Sequence, residues 1–82
     1  MKVSVLLFAS VREAINESKL EIELPSPVSN LSQFRSFFIE LYPTLTKLEF
    51  RLAVNKTYAI NEDEAGLKDG DEIALIPPIS GG

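Results

Sequence analysis

The first residues of the chain alternate between two faces. From Val3 to Ala9 the side chains follow a period of two, which predicts a β-strand because successive side chains of a strand point to opposite sides. Leu6 and Phe8 make the second face apolar as well. We therefore expect both faces of this strand to contact other groups, as in a central strand or in one that meets a partner.

A second strand is predicted over Lys19–Leu24, where apolar and charged residues alternate strictly. This pattern is typical of a strand with one buried and one exposed face, and Pro25 ends it because proline cannot donate to the ladder. The intervening residues 11–18 are expected to form a loose turn.

One amphipathic helix follows, since apolar residues recur at helical spacing in the next segment. The apolar stripe consists of Leu31, Phe34, Phe38 and Leu41, with Phe37 at its edge. Ser29 or Asn30 provides the N-cap. Pro43 ends the helix, because the residue before a proline is pushed out of the helical region.

The C-terminal half reads as three further strands joined by turns. The predicted strands are Arg51–Asn55, Thr57–Ile60 and Glu72–Ile76, with a turn at residues 55–56 and an acidic loop at 61–66. Residues 68–71, Lys-Asp-Gly-Asp, form a strong turn signal because glycine tolerates positive φ.

The order of these elements predicts an α+β fold, in which one main helix packs across a mixed sheet of four to five strands. The near-continuous apolar character of the first and last strands is explained if they lie side by side in the middle. The ubiquitin-like β-grasp is the natural candidate. We expect residues 1–76 to form the β-grasp domain and residues 77–82 to form a flexible C-terminal Gly-Gly tail.

The composition removes most of the usual catalytic groups. The chain of 82 residues contains no His and no Cys, so it lacks the commonest general base, thiol nucleophiles and the usual zinc ligands. Its net charge is −4 and its basic residues are scattered, which argues against nucleic acid as a partner and favours a basic protein surface. No apolar run approaches the roughly 20 residues that span a bilayer, so we expect no membrane contact. The absence of Cys permits a cytoplasmic location, which we expect.

The acidic residues of the C-terminal half are not expected to form a metal site. The acidic residues are Glu62, Asp63, Glu64, Asp69, Asp71 and Glu72. Oxygen ligands suit Ca²⁺ or Mg²⁺, but this spacing does not match an EF-hand loop. A solvated loop and turn is the better interpretation, and no metal and no bound cofactor are predicted.

The last six residues carry the candidate chemistry. Pro77 and Pro78 favour a stiff, extended exit from the sheet. Gly81 and Gly82 have no side chains and fit a channel too narrow for other residues. Fully extended, the tail spans roughly 20 Å, enough to carry its carboxylate well inside another protein. A carboxylate is a poor electrophile, so an activating enzyme and ATP would be needed before a nucleophile could attack.

Three segments resemble the MoaD family, the small sulfur-carrier subunits of molybdopterin synthase. They are residues 67–82 with the ending Pro-Pro-Ile-Ser-Gly-Gly, residues 8–13 after the first strand, and residues 53–55 in the third strand. Asn16 departs from the glycine that the family often has, although asparagine also tolerates left-handed geometry.

The resemblance implies that Gly82 is adenylated by an E1-like adenylyltransferase, which consumes ATP, and is then converted to a thiocarboxylate. The tail, Pro77, Pro78, Ile79, Ser80 and Gly81, would insert into the large catalytic subunit. There the sulfur would pass to cyclic pyranopterin monophosphate, usually in a complex of two small and two large subunits. We expect Phe8, Leu6 and Ile76 to face the partner, because they are apolar.

Other functions stay open from the residues alone. A sulfur carrier for thiazole synthesis or tRNA thiolation shares the chemistry but usually lacks the Pro-Pro segment. A ubiquitin-like protein modifier shares the fold and the Gly-Gly ending, but ubiquitin has basic residues before its glycines, where this chain has Pro-Pro-Ile-Ser. In none of these functions is the chain an enzyme by itself.

Overall fold

Five strands and three helical segments make up the part of the chain that the structure, a computed structural model, describes, which is residues 1–78. The elements in chain order are β1 (Lys2–Leu7), α1 (Ala9–Ile15), β2 (Lys19–Glu23), α2 (Leu31–Leu41), a 3₁₀-helix (Pro43–Lys47), β3 (Arg51–Val54), β4 (Thr57–Tyr58) and β5 (Glu72–Ile76). Within residues 1–78, no helix has both the length and the apolar character needed to cross a bilayer.

The strands form one mixed sheet in the order β2-β1-β5-β3-β4. The last strand, β5, lies in the middle, parallel to β1 and antiparallel to β3. This arrangement confirms the expected mixed sheet and the expected pairing of the first and last strands. Because β5 is bracketed on both sides, the point where the chain leaves the sheet is fixed by two ladders.

The core lies between α2 and one face of the sheet. Phe34 and Phe38 of α2 are completely buried, and their rings stack with centroids 5.2 Å apart. They belong to the same buried cluster as Val5 of β1 and Ile73 of β5. The N-cap of α2 is Asn30, whose side chain accepts a hydrogen bond from the backbone N–H of Gln33, so the expected helix and one of its two candidate caps are confirmed.

A buried carboxylate ties the β3–β4 turn to the start of β5. Asp71 is only 5% exposed, and its two carboxylate oxygens accept hydrogen bonds from the Asn55 side-chain amide at 3.0 Å and from the Lys68 N–H at 2.8 Å. The Asn55 amide oxygen in turn accepts from the N–H of Glu72. Asn55 itself adopts a left-handed conformation, with φ 50°, as the two-residue turn requires. Hydrogen bonds thus connect the two turns that flank β3 and β5.

Three expectations from the sequence were wrong in detail. The strand predicted over Thr57–Ile60 ends at Tyr58, and Ile60 beyond it is fully exposed. Residues 11–18 are not a loose turn, because α1 occupies most of that segment and buries Val11. This helix ends at Asn16, whose left-handed backbone, φ 67° and ψ 35°, closes the last turn. Leu41, the last residue of the predicted apolar stripe, is 49% exposed, since α2 ends there and the chain turns into the 3₁₀-helix.

Candidate functional site

The segment that leaves the central strand is the natural starting point for a site. Ile76 ends β5 and is half-buried, Pro77 is half-buried, and Pro78 is exposed. We call these three residues the tail root. The predicted reactive residues beyond it, Ile79, Ser80, Gly81 and Gly82, lie outside the described residues. The structure therefore places the base of the predicted tail and leaves its end as a prediction.

Two open cavities flank the tail root and share Pro78. One has a volume of about 430 Å³ and is lined by Arg35, Leu48, Glu49, Phe50, Arg51 and Pro78. The other, of about 520 Å³, is lined by residues of α1, by residues 47–49 and by both prolines. The tail root thus stands between the start of α1 and the start of β3.

The sheet face opposite α2, which we call the outer face, carries an apolar row. Strand pairing places Leu6 beside Ala74, Ala74 beside Ala53, and Ala53 beside Tyr58. Paired residues project from the same side of a sheet, so these four side chains cross four strands in one line. The row ends at Tyr58, which is 48% exposed.

The three residues predicted to face a partner meet at the tail-root end of this face. Leu6 is half-buried, and Ile76 lies two residues beyond its neighbour Ala74 on the same side of β5. Phe8 has extended backbone (φ −128°, ψ 150°), which continues the alternation of β1, and its side chain is 43% exposed. Its carbonyl accepts hydrogen bonds from the first turn of α1, so its backbone position is fixed.

Sequence reasoning missed Arg51 and Tyr58 on the outer face. The Arg51 guanidinium lies over the Tyr58 ring, with its central carbon 4.7 Å from the ring centroid. Arg51 also pairs with Ile76 across β3 and β5, which places it beside the tail root. The two-residue turn was the available signal, because a turn at residues 55–56 forces Tyr58 opposite Ala53.

Arg35 lines the cavity of about 430 Å³ together with Arg51, and its guanidinium is bound inside the domain by three hydrogen bonds. Its guanidinium donates to both carboxylate oxygens of Glu62, at 2.8 and 2.6 Å, and to the carbonyl of Phe50 at 3.2 Å. It also lies 4.6 Å from the centroid of the Phe50 ring. These contacts hold α2, the 61–66 loop and the residue before β3 together, and so fix one wall of the tail-root cavity.

The acidic residues considered for a metal do not gather into a metal site in the described part of the chain. Among residues 1–78 no group of three His, Cys, Asp or Glu side chains is arranged to hold an ion. Asp71 is used in the turn network, and Glu62 is used by Arg35. The described residues are therefore suited to binding a partner protein and to presenting the tail to it. The apolar outer face and Arg51 lie beside the tail root, where the chain leaves the sheet.

A comparison with family models relates residues 5–82 to the ThiS family. Among curated proteins, the chain is similar to the molybdopterin synthase sulfur carrier subunit of Dictyostelium discoideum. The two are 38% identical over 80 residues, which cover 95% of this chain and 93% of that protein. The similarity thus extends over nearly the whole of both chains.

Two solved structures have the same fold. One is a putative molybdopterin converting factor, subunit 1, from Pyrococcus furiosus, with a TM-score of 0.83 at 25% identity over 96% of this chain and 99% of that one. The other belongs to a complex of subunits 1 and 2 of the molybdopterin-converting factor from Helicobacter pylori, with a TM-score of 0.71 at 28% identity over the whole of both chains. The expected β-grasp is confirmed by these similarities.

Proposed function

This chain belongs to the ThiS family, and we propose that it is the sulfur carrier subunit of a molybdopterin synthase, active in molybdenum cofactor biosynthesis. The observation that carries the proposal is the near full-length similarity to a curated carrier subunit. The fold gives it a physical basis, because the central strand leads into the Pro-Pro-Ile-Ser-Gly-Gly ending beside an apolar face.

The chemistry we propose takes place on the carboxylate of Gly82. Reaction with ATP gives an acyl-adenylate and releases pyrophosphate, which turns a poor electrophile into a good one. A sulfur nucleophile at the oxidation level of hydrosulfide then displaces AMP and leaves a thiocarboxylate. The thiocarboxylate sulfur attacks a side-chain carbon of cyclic pyranopterin monophosphate and displaces an oxygen leaving group, so that a C–S bond replaces a C–O bond. Water then hydrolyses the resulting thioester, which returns the carboxylate and leaves the sulfur on the substrate. Since a dithiolene contains two sulfur atoms, each product needs two deliveries.

Partners must supply everything except the terminal carboxylate and the tail that carries it. The chain has no His and no Cys, so we assign adenylation to an E1-like adenylyltransferase that consumes ATP, with no cofactor bound to the carrier itself. We assign sulfur transfer to a large catalytic subunit in a complex of two small and two large subunits. We place this reaction in the cytoplasm, where ATP is available.

We propose that the large subunit covers the outer face at the tail root. Leu6, Phe8 and Ile76 lie on that face, and Pro77 and Pro78 lead away from it. A partner docked there would receive residues 79–82, which span about 13 Å when extended. Burial of the apolar row would provide the binding free energy, and insertion of the tail would provide the chemistry.

Intact mass spectrometry tests the carrier function. The full-length protein is incubated with ATP, a sulfide source and the cognate adenylating enzyme, and we expect a mass increase equal to the replacement of one oxygen by sulfur, mapped to Gly82. The thiolated protein is then mixed with the large subunit and cyclic pyranopterin monophosphate, and the extra mass should be lost as molybdopterin forms.

The matched control carries one alanine appended after Gly82, a change outside the described residues. It should fold normally and accept no sulfur. An unchanged mass of the natural protein, under conditions that thiolate a known carrier, would contradict the proposal. Thiolation without molybdopterin formation would instead favour a thiazole or tRNA pathway, and attachment of Gly82 to lysines of other proteins would favour a modifier.

A further inference from the structure

The strongest unexplained feature of the outer face is the pair formed by Arg51 and Tyr58. Both side chains are exposed, and neither belongs to the buried core. The guanidinium nevertheless lies 4.7 Å from the ring centroid, a distance typical of a cation–π contact. The ring restricts a side chain that would otherwise sample many rotamers, so the cation is held at a defined place on the face.

Arg51 forms no ion pair within the described residues. The three ion pairs among residues 1–78 join the N-terminus to Glu23, Arg35 to Glu62 and Lys68 to Asp71. Arg35, which lines the same cavity, provides the contrast, because its guanidinium forms an ion pair with Glu62 and donates to the Phe50 carbonyl. One arginine of this cavity therefore serves the fold, and the other presents its donors outward.

The position of Arg51 makes burial by a partner costly unless an acid meets it. Arg51 pairs with Ile76 and lines a cavity with Pro78, so a protein that covers the tail root also covers the guanidinium. A buried cation without a partner is strongly unfavourable, whereas a carboxylate matches the planar guanidinium with two parallel hydrogen bonds. The chain as a whole has a net charge of −4, so a partner selected by overall charge is basic. One acidic side chain opposite Arg51 would interrupt an otherwise basic partner surface. Because only one position on that surface would match Arg51, this contact would fix the orientation in which the two proteins dock.

We propose that Arg51, held by Tyr58, is a specificity-determining residue that binds an Asp or Glu side chain of the large catalytic subunit beside the entry of the tail. The inference rests on the proposed function, because it names a contact of the same complex. The contact would make the carrier selective among partners. A protein with a basic or apolar residue opposite Arg51 would bind poorly, even if its surface could pack against the apolar row.

Binding of the full-length carrier to its cognate large subunit, measured by isothermal titration calorimetry, tests the contact. Arg51→Met keeps much of the aliphatic stem and removes the charge, and we expect it to weaken binding about tenfold to a hundredfold. Arg51→Lys should recover only part of the loss, because an ammonium cannot form the bidentate pair. Tyr58→Phe should bind nearly as the natural protein does, since the ring is kept, while Tyr58→Ala should weaken binding severalfold.

The matched control is Lys68→Met, which removes one positive charge at the opposite end of β5 and should change the affinity by less than about twofold. Charge reversal completes the test: Arg51→Glu should abolish binding, and one acid-to-arginine change in the large subunit should restore it. Arg51→Met that binds as tightly as Lys68→Met would overturn the proposal. Failure of the natural protein to bind the large subunit would refute the proposed function and this contact together.

A second measurement examines whether the acid belongs to the carrier itself, since the carboxylate of Gly82 is about 13 Å along the chain from Pro78. The NMR signal of the Arg51 side-chain N–H is compared in the isolated natural protein and in the same protein with its C-terminal carboxylate converted to the uncharged amide. We expect the same chemical shift in both and a change only when the large subunit is added. A shift caused by the amidation alone would assign the site to the carrier's own terminus and overturn the assignment to the partner.

Discussion

Asp71→Asn is the most direct test of the turn network that fixes the start of β5. The aspartate oxygens accept hydrogen bonds from two donors, the Asn55 amide and the Lys68 N–H, at 3.0 and 2.8 Å. An asparagine has nearly the same shape but offers only one acceptor, so its amide nitrogen must face a donor whichever way it turns. The remaining hydrogen bond also loses the strengthening effect of the negative charge.

The expected cost is about 2–4 kcal/mol, because hydrogen bonds to charged groups contribute about 1.5–3 kcal/mol and an opposed buried donor adds a desolvation penalty. This is a large fraction of the roughly 4–12 kcal/mol of unfolding free energy expected for a domain of this size. Urea unfolding followed by far-UV circular dichroism measures the change, and a fall in Tm of at least about 8 °C should accompany it.

Asp63→Asn provides the control. It makes the same change of charge at an exposed position in the neighbouring acidic loop, and should shift stability by less than about 0.5 kcal/mol. At temperatures where the Asp71→Asn variant is folded, Gly82 should still accept sulfur, because the network lies at the far end of β5 from the tail root. Equal unfolding free energies for the two variants would show that the network does not stabilise the fold and would refute this reasoning.

Three further changes test local features in the same urea assay. Asn30→Ala removes the acceptor for the Gln33 N–H and should cost about 1 kcal/mol, and an unchanged midpoint would mean that the cap is not formed in solution. Asn16→Gly should be neutral or slightly stabilising, whereas Asn16→Val should lower the unfolding free energy by about 1–2 kcal/mol, because φ is 67° at this position. Equal urea midpoints for these two variants would contradict the left-handed cap. Phe38→Ala should cost about 3–5 kcal/mol by opening a cavity in the core, while Leu41→Ala, at an exposed position of the same helix, should cost far less; similar losses from both would place Phe38 outside the core.

Strong periodicity explains why most of the fold was predictable. The bounds of α2 and β5 agree with the expected segments, since each shows a clear apolar pattern between distinct start and stop signals. The adjacency of β1 and β5 followed from their apolar character on both faces. α1 was missed because seven residues with one buried side chain, Val11, give too short a pattern to be recognised.

The candidate site was only partly predictable, because its members come from different strands. The apolar character of Leu6 and Phe8 indicated an exposed contact surface, and the structure places them on one face with Ile76. The contact of Arg51 with Tyr58 depends on the register of β3 against β4 and of β3 against β5. A local pattern does not contain that sheet order, so neither residue was expected to have a role. The chemistry expected of Gly82 is implied by the family resemblance and stays a prediction, because this residue lies outside the described residues.

The central position of β5 has a mechanical consequence. A force applied at the carboxyl end, as when a degradation machine pulls on the tail, runs along a strand that is hydrogen-bonded on both sides, to β1 and to β3. Such a load shears two ladders at once and cannot peel one edge open bond by bond. A molecule that must offer its terminus to other proteins is thereby protected against being unravelled from that same end.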